Sequence, residues 1–243
     1  MDLGRLALFR SIEGVRGARF VLALLSGVAF ASVSPPFDFV SALWVGMAGL
    51  AYLLEASTQR PARLVRRLAE GGARGMAFGV GANLVALRFV PDTITRFTPL
   101  PWAAGMLALI LLAAEQSLRW IAAAWVRGAL VRWRVSSPLA FAAGVYAGTF
   151  VPVIFPWNPA GGATLRPELL QLADTIGERG VSALMALAAG FAGSALRALH
   201  NDGRAYANRR TLAKCAAALA LPLVTYVHGR FRMAEVEALR GGA

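Results

Sequence analysis

The sequence predicts an all-α protein, a polytopic transmembrane helix bundle of about seven spans, with a cytoplasmic N-terminus and a periplasmic C-terminus. Three observations predict it. Of 243 residues, 57% are hydrophobic and only 16% are charged, where an ordinary soluble domain carries about 25% charged residues. The apolar residues gather in windows approaching the roughly 17–25 residues that cross a bilayer. The 25 Lys and Arg lie mostly in short segments between those windows, as expected of residues that orient a membrane protein.

The same composition excludes whole function classes. Disorder needs low hydrophobicity and high charge density. A nucleic-acid binder could share the net charge of +12 but would collect it on one solvated face, so no nucleic-acid partner is expected. A membrane barrel needs strands of alternating polarity, whereas these runs are continuously apolar. One cysteine, Cys215, allows no intrachain disulfide and no multi-cysteine metal site. Two histidines, His200 and His228, offer little metal chemistry, so no metal and no cofactor are expected.

Residues 1–19 read as a basic amphipathic lead-in with Arg5, Arg10, Arg16 and Arg19. The first apolar run is Phe20 to Ser34; its Ala29-Phe30-Ala31 leaves a cleaved signal peptide open as an alternative. Pro35-Pro36 ends it, because proline lacks the N–H and crowds the preceding turn. The second run is Phe37 to Leu54. Arg60, Arg63, Arg66, Arg67 and Arg74 mark a polar segment, followed by a third run from Gly75 to Val90. The Pro91–Pro101 stretch reads as a loop, and the fourth and longest run is Trp102 to Val126. A basic loop with Arg127, Arg132 and Arg134 precedes the fifth run, Pro138 to Phe155. A Pro/Gly-rich loop at 156–167 leads into the sixth run, Ile176 to Leu199. A basic loop at 200–210 precedes the seventh run, Thr211 to Val227, and 228–243 reads as a short amphipathic tail. Alternate loops hold 17 and seven Lys/Arg, with Arg119 inside a span. By the positive-inside rule the richer side is cytoplasmic.

Ionisable residues inside a bilayer are functional candidates. Glu115 and Arg119 are four apart on one predicted helix, the spacing of an intramembrane ion pair. Either the pair is self-neutralised and faces the bundle, or it serves a polar path. Arg119 lies about 25 Å along that helix from Trp102, far enough to reach the cytoplasmic interface. Gly144 and Gly148 have close-packing spacing, and generic helix packing accounts for them equally well. Lys214 and Cys215 point about 100° apart and do not converge. No His pair, serine elbow, phosphate loop or zinc motif is present, so no catalytic residue is assigned. Candidate lipid contacts are Phe155, Pro156, Trp157 and Asn158, with Arg88 and Arg96 as phosphate partners on the same side. Trp157 belongs at headgroup depth by its apolar ring and N–H donor, which an ordinary belt residue also satisfies.

Three segments together resemble a known family. Ser34-Pro35-Pro36-Phe37-Asp38 is similar to an "FPPFD" hairpin corner, and Phe155-Pro156-Trp157 to a "GFPW" corner. Pro167 to Asp174, then Gly177 and Gly180-Val181-Ser182-Ala183-Leu184, resembles "LLQLAD-x-x-G-x-x-G-V-S-F-L". These are motifs of the membrane half of apolipoprotein N-acyltransferase, which adds the third acyl chain to bacterial lipoproteins. The family's Glu and Arg before the FPW corner are not at Val145 to Gly148, and its "GYSQ" is replaced by Asn158-Pro159-Ala160-Gly161.

The resemblance implies a multi-pass protein of a bacterial inner membrane, with Pro35, Pro36, Phe37 and Asp38 as a structural motif. It implies phospholipid and diacylated lipoprotein as partners, presented to a nitrilase-like domain whose Glu, Lys and Cys perform the transfer. That domain would begin near the tail at 228–243, after a seven-helix transmembrane domain at 20–227. The chain itself is expected to be inactive alone. The alternative is a non-enzymatic membrane anchor or scaffold for a partner such as a polyprenol-phosphate glycosyltransferase.

Reporter fusions after Arg67 and after Arg240 test the topology. The seven-span reading expects them on opposite sides of the membrane. The same side for both contradicts it.

Overall fold

The computed structural model describes residues 16–58, 64–202, 205 and 208–241. Most of the lead-in at 1–19, together with Arg60, Arg63, Arg204 and the last two residues, lies outside the described residues. The described chain is helical and contains no strand. Its helices are α1 (Arg16–Ala31), α2 (Ala42–Thr58), α3 (Leu64–Ala86), α4 (Val90–Phe97) and α5 (Trp102–Gln116), then α6 (Leu118–Arg132), α7 (Ser137–Gly148), α8 (Ala173–Asn201) and α9 (Arg209–Gly241). Two short 3-10 turns, Pro159–Ala163 and Pro167–Leu169, lie between α7 and α8.

Six helices close a ring in the order α1, α3, α6, α7, α8, α2, each packed on the next. The α4–α5 pair lies along α3, and α9 packs on the outside of α8. The main core draws Leu43, Met47 and Leu50 from α2, Phe78 from α3, Trp120 from α6, Phe141 from α7, and Val181 and Met185 from α8. Ala160 and Ala163, from the first 3-10 turn, are fully inside that core. The segment between α7 and α8 therefore folds back into the ring.

Three stretches are long and apolar enough to cross a membrane: Trp102–Arg132, Ala173–Asn201 and Arg209–Arg240. Gly17–Ala31 and Ala42–Glu55 are apolar but shorter.

Four sequence expectations are corrected. The Pro91–Pro101 stretch is not all loop. Pro91 in the first turn, Asp92 near the positive end and Arg96 near the negative end build the eight-residue α4. The fourth run is interrupted at Ser117, between α5 and α6. The fifth run ends as a helix at Gly148, so α7 has only 12 residues and spans about 18 Å. Pro152 and Pro156 then bar further helix. The tail is not separate, because α9 runs without a break through 228–241. Arg232 ties it to Asp174 of α8 at 3.4 Å.

Gly177 has φ +69°, a left-handed conformation that only glycine adopts freely, and it turns the chain into the body of α8. This gives a physical reason for the glycine in the "LLQLAD-x-x-G" segment. Gly144 and Gly148 carry the α6–α7 seam. A Cβ at Gly148 would lie 2.6 Å from the Arg119 carbonyl, and one at Gly144 would meet the Ala123 carbonyl.

Gly144→Ala is expected to destabilise the fold by about 1–3 kcal/mol through overpacking. Gly128→Ala, whose Cβ would find only Leu68 Cδ2 at 3.7 Å, is expected to stabilise α6 by roughly 0.5–1 kcal/mol. Thermal unfolding in detergent reads both.

Candidate functional site

The ends of α1 and α3, the Ser117 break and the segment after α7 enclose a cavity of about 470 Å³. Pro35 closes α1 at one side of it, and Arg88 and Phe89 follow α3 at another. Gln116, Arg119 and Trp120 project from the break, and Trp157, Asn158 and Gly162 come from the returning segment. Phe30 and Trp120 of the wall pack with the buried Phe78 behind them. Phe78 and Trp120 meet edge-on at 4.5 Å between centroids, and Phe30 packs on both at 5.5 and 5.4 Å.

The returning segment is held by polar side chains from the break. Glu115 Oε1 accepts the Ile154 N–H at 3.1 Å. Arg119 Nη2 donates to the Phe155 carbonyl at 2.9 Å. The Gln116 amide, oriented as its neighbours require, donates to the Phe155 carbonyl at 2.9 Å and accepts the Phe155 N–H at 2.6 Å. Farther along, Ser182 Oγ accepts the Ala160 N–H at 3.0 Å. A buried peptide group left without a partner costs about 1–3 kcal/mol, so the buried Ala160 contact and the part-buried Phe155 contact let non-helical backbone enter an apolar bundle.

Glu115 and Arg119 do not form the expected ion pair. No direct ion pair joins them among the described residues. Each turns to the Ile154–Phe155 backbone instead. Arg119 does not run out to an interface either: it is 8% exposed.

The other predicted residues divide. Arg88, Trp157, Asn158 and Pro35 border the cavity. Arg88 Nη2 donates to the Pro35 carbonyl at 2.5 Å, and its guanidinium lies 5.5 Å from the Phe37 ring centroid. Phe155 stacks on Trp157 at 5.1 Å without bordering the cavity. Pro36, Phe37 and Asp38 form the turn beside it, with Asp38 at φ +56°. Pro156 and Arg96 are exposed and do not border the cavity. Lys214 and Cys215 are half-buried on α9, away from it. Among the described residues no group of His, Cys, Asp and Glu is arranged to hold a metal.

Two polar clusters escaped the sequence reading. Gln116 looked like an incidental polar residue within an apolar run. Arg74 and Arg127 looked like loop charges, yet both are buried. Arg74 Nη1 donates to the Leu53 carbonyl at 2.8 Å and Arg127 Nη1 to the Leu54 carbonyl at 3.0 Å, bracing the end of α2.

The family model described as apolipoprotein N-acyltransferase N-terminal domain matches residues 26–191. An apolipoprotein N-acyltransferase of Geobacter metallireducens is 27% identical over 195 residues, 77% of this chain and 35% of that protein. One of Caulobacter vibrioides is 38% identical over 147 residues, 58% of this chain and 26% of its own length. One of Brucella melitensis is 32% identical over 173 residues, covering 68% and 32%. The chain thus spans about a third of the length of the curated relatives it matches.

Proposed function

This chain belongs to the apolipoprotein N-acyltransferase N-terminal domain family, and from that premise we propose that it is a membrane module that holds lipid for lipoprotein N-acylation. In this reading it crosses a bacterial inner membrane seven times, with the Lys/Arg-rich loops in the cytoplasm. Phospholipid and diacylated lipoprotein enter the cavity laterally and are presented to a nitrilase-type domain, which makes and breaks the acyl bonds.

The cavity carries the reading. Phe30, Phe89 and Trp120 offer an apolar lining, and Arg88, Arg119 and Asn158 offer polar groups at one place. That combination suits an amphiphile with a hydrocarbon part and a hydrogen-bonding headgroup. A simple anchor for a glycosyltransferase has no need of such a cavity. Lys214 and Cys215, being adjacent on one helix, point about 100° apart and form no convergent pair. The reading therefore gives this chain lipid handling and leaves the nucleophile to the nitrilase-type domain.

Trp157 is the residue that separates a lipid site from an aromatic belt. The protein is placed in nanodiscs and titrated with a fluorescent diacylglyceryl lipopeptide. Trp157→Ala is expected to weaken binding by about tenfold, roughly 1.4 kcal/mol, while the melting temperature holds. Unchanged binding, or binding and melting temperature falling together, contradicts the assignment.

A further inference from the structure

Arg119 and Arg127 stand two turns apart on α6, both buried, at 8% and 1% exposed. They are furnished differently. Arg127 also donates through Nη2 to Ser137 Oγ at 2.7 Å, and that hydroxyl lies 3.3 Å from Glu55 Oε2, which accepts from Ser194 Oγ as well. Its charge is matched by a carboxylate within one hydrogen-bonded network. Arg119 has a single described hydrogen bond, from Nη2 to the Phe155 carbonyl. The Nε of each arginine is buried without a partner, so the difference lies in the terminal nitrogens and the anion: no ion pair is described for Arg119. The neighbouring carboxylate oxygen, Glu115 Oε1, is committed to the Ile154 N–H.

A buried cation that has lost its water is costly unless an anion bonds it, and Arg119 has Glu115 and Glu178 nearby but bonds neither. Arg119 borders the 470 Å³ cavity, where an anion could reach it, and Arg88 borders the same cavity. A planar guanidinium suits a phosphate, which accepts from two of its donors at once. The apolar lining from Phe30, Val33, Phe89 and Trp120 suits a phosphate that arrives with hydrocarbon attached, not one free in solution.

We infer that Arg119 is the specificity-determining residue of the cavity: it receives the phosphate of a lipid end-on, through Nη1 and the second hydrogen of Nη2, while the first Nη2 hydrogen keeps the Phe155 carbonyl and Nε stays buried. This deepens the proposed function and rests on the cavity holding lipid. One guanidinium then reads the headgroup and positions the corner that carries Trp157, so headgroup binding and corner geometry are coupled.

The test uses the full chain in a maltoside detergent, which carries no phosphate. Native mass spectrometry measures binding of dihexanoyl phosphatidic acid and of dihexanoylglycerol, which share their acyl chains. The unmodified protein is expected to prefer the phosphatidic acid. Arg119→Gln, which keeps an N–H donor for Phe155, is expected to weaken phosphatidic acid binding by about tenfold or more, as for loss of a hydrogen bond to a charged group. Its binding of dihexanoylglycerol is expected to stay the same. Arg119→Lys keeps the charge without the fork and is expected to fall between. Inorganic phosphate is expected not to compete.

Equal binding of both amphiphiles by the unmodified protein overturns the charge selectivity and leaves the lipid cavity standing. That comparison needs no variant, so it decides the matter even if Arg119→Gln fails to fold. Equal weakening of both amphiphiles by Arg119→Gln makes the residue merely structural. Competition by inorganic phosphate overturns the lipid source. Binding of neither amphiphile removes the cavity reading and this inference with it.

Discussion

Everything distinctive here depends on satisfying the peptide groups of the segment between α7 and α8. Hydrocarbon offers no hydrogen bonds, so backbone that leaves a helix within a bundle must find protein partners. Here Glu115, Gln116 and Arg119 meet Ile154 and Phe155, and Ser182 meets Ala160. Those contacts let the segment turn inward, bury Ala160 and Ala163 among the six ring helices, and leave Trp157 and Asn158 at the cavity wall. The interruption at Ser117 supplies the three polar side chains. It is accommodated because Gly79 faces Ser117, where a Cβ would lie 2.6 Å from the serine's own.

The buried charges follow the same logic at two places in the bundle. Arg74 and Arg127 cap carbonyls near the end of α2, where the helix dipole favours cations, and Glu55 balances the charge. This arrangement braces α2, α3, α6, α7 and α8 together. At the cavity the cation is also tethered to backbone, but it retains donors. One of the two buried arginines of α6 is thus joined to a carboxylate network, and the other borders the cavity.

The apolar runs, the proline corners and the charge asymmetry made the helical class and the approximate helix order legible. What escaped the reading has physical causes. The stop of α7 at Gly148 was hidden because Thr149 to Phe155 stays largely apolar, though Pro152 and Pro156 were the available signal. The short helix α4 was hidden by its flanking prolines, although Pro91, Asp92 and Arg96 spell its start and end. The continuity of α9 was hidden by a change from apolar to amphipathic sequence, which alters what the helix faces without stopping it. Of the residues named from the sequence, Trp157, Asn158 and Arg88 border the cavity. The grip of Gln116 on Phe155 could not be read from the sequence, since it joins residues distant along the chain. Arg119 was read as paired with Glu115, whereas both side chains bond the Ile154–Phe155 backbone.

Amide hydrogen exchange in lipid nanodiscs tests the central claim most directly. The amides of Ile154, Phe155 and Ala160 belong to no regular helix, yet each donates to a side chain that holds the segment inside the bundle. The account predicts that they exchange as slowly as the amides of α7, and that Gln116→Leu speeds Phe155 while leaving α7 protected. Exchange at Ile154, Phe155 and Ala160 as fast as in an unfolded peptide would contradict it, because the segment would then be a surface loop and the cavity would have no fixed wall.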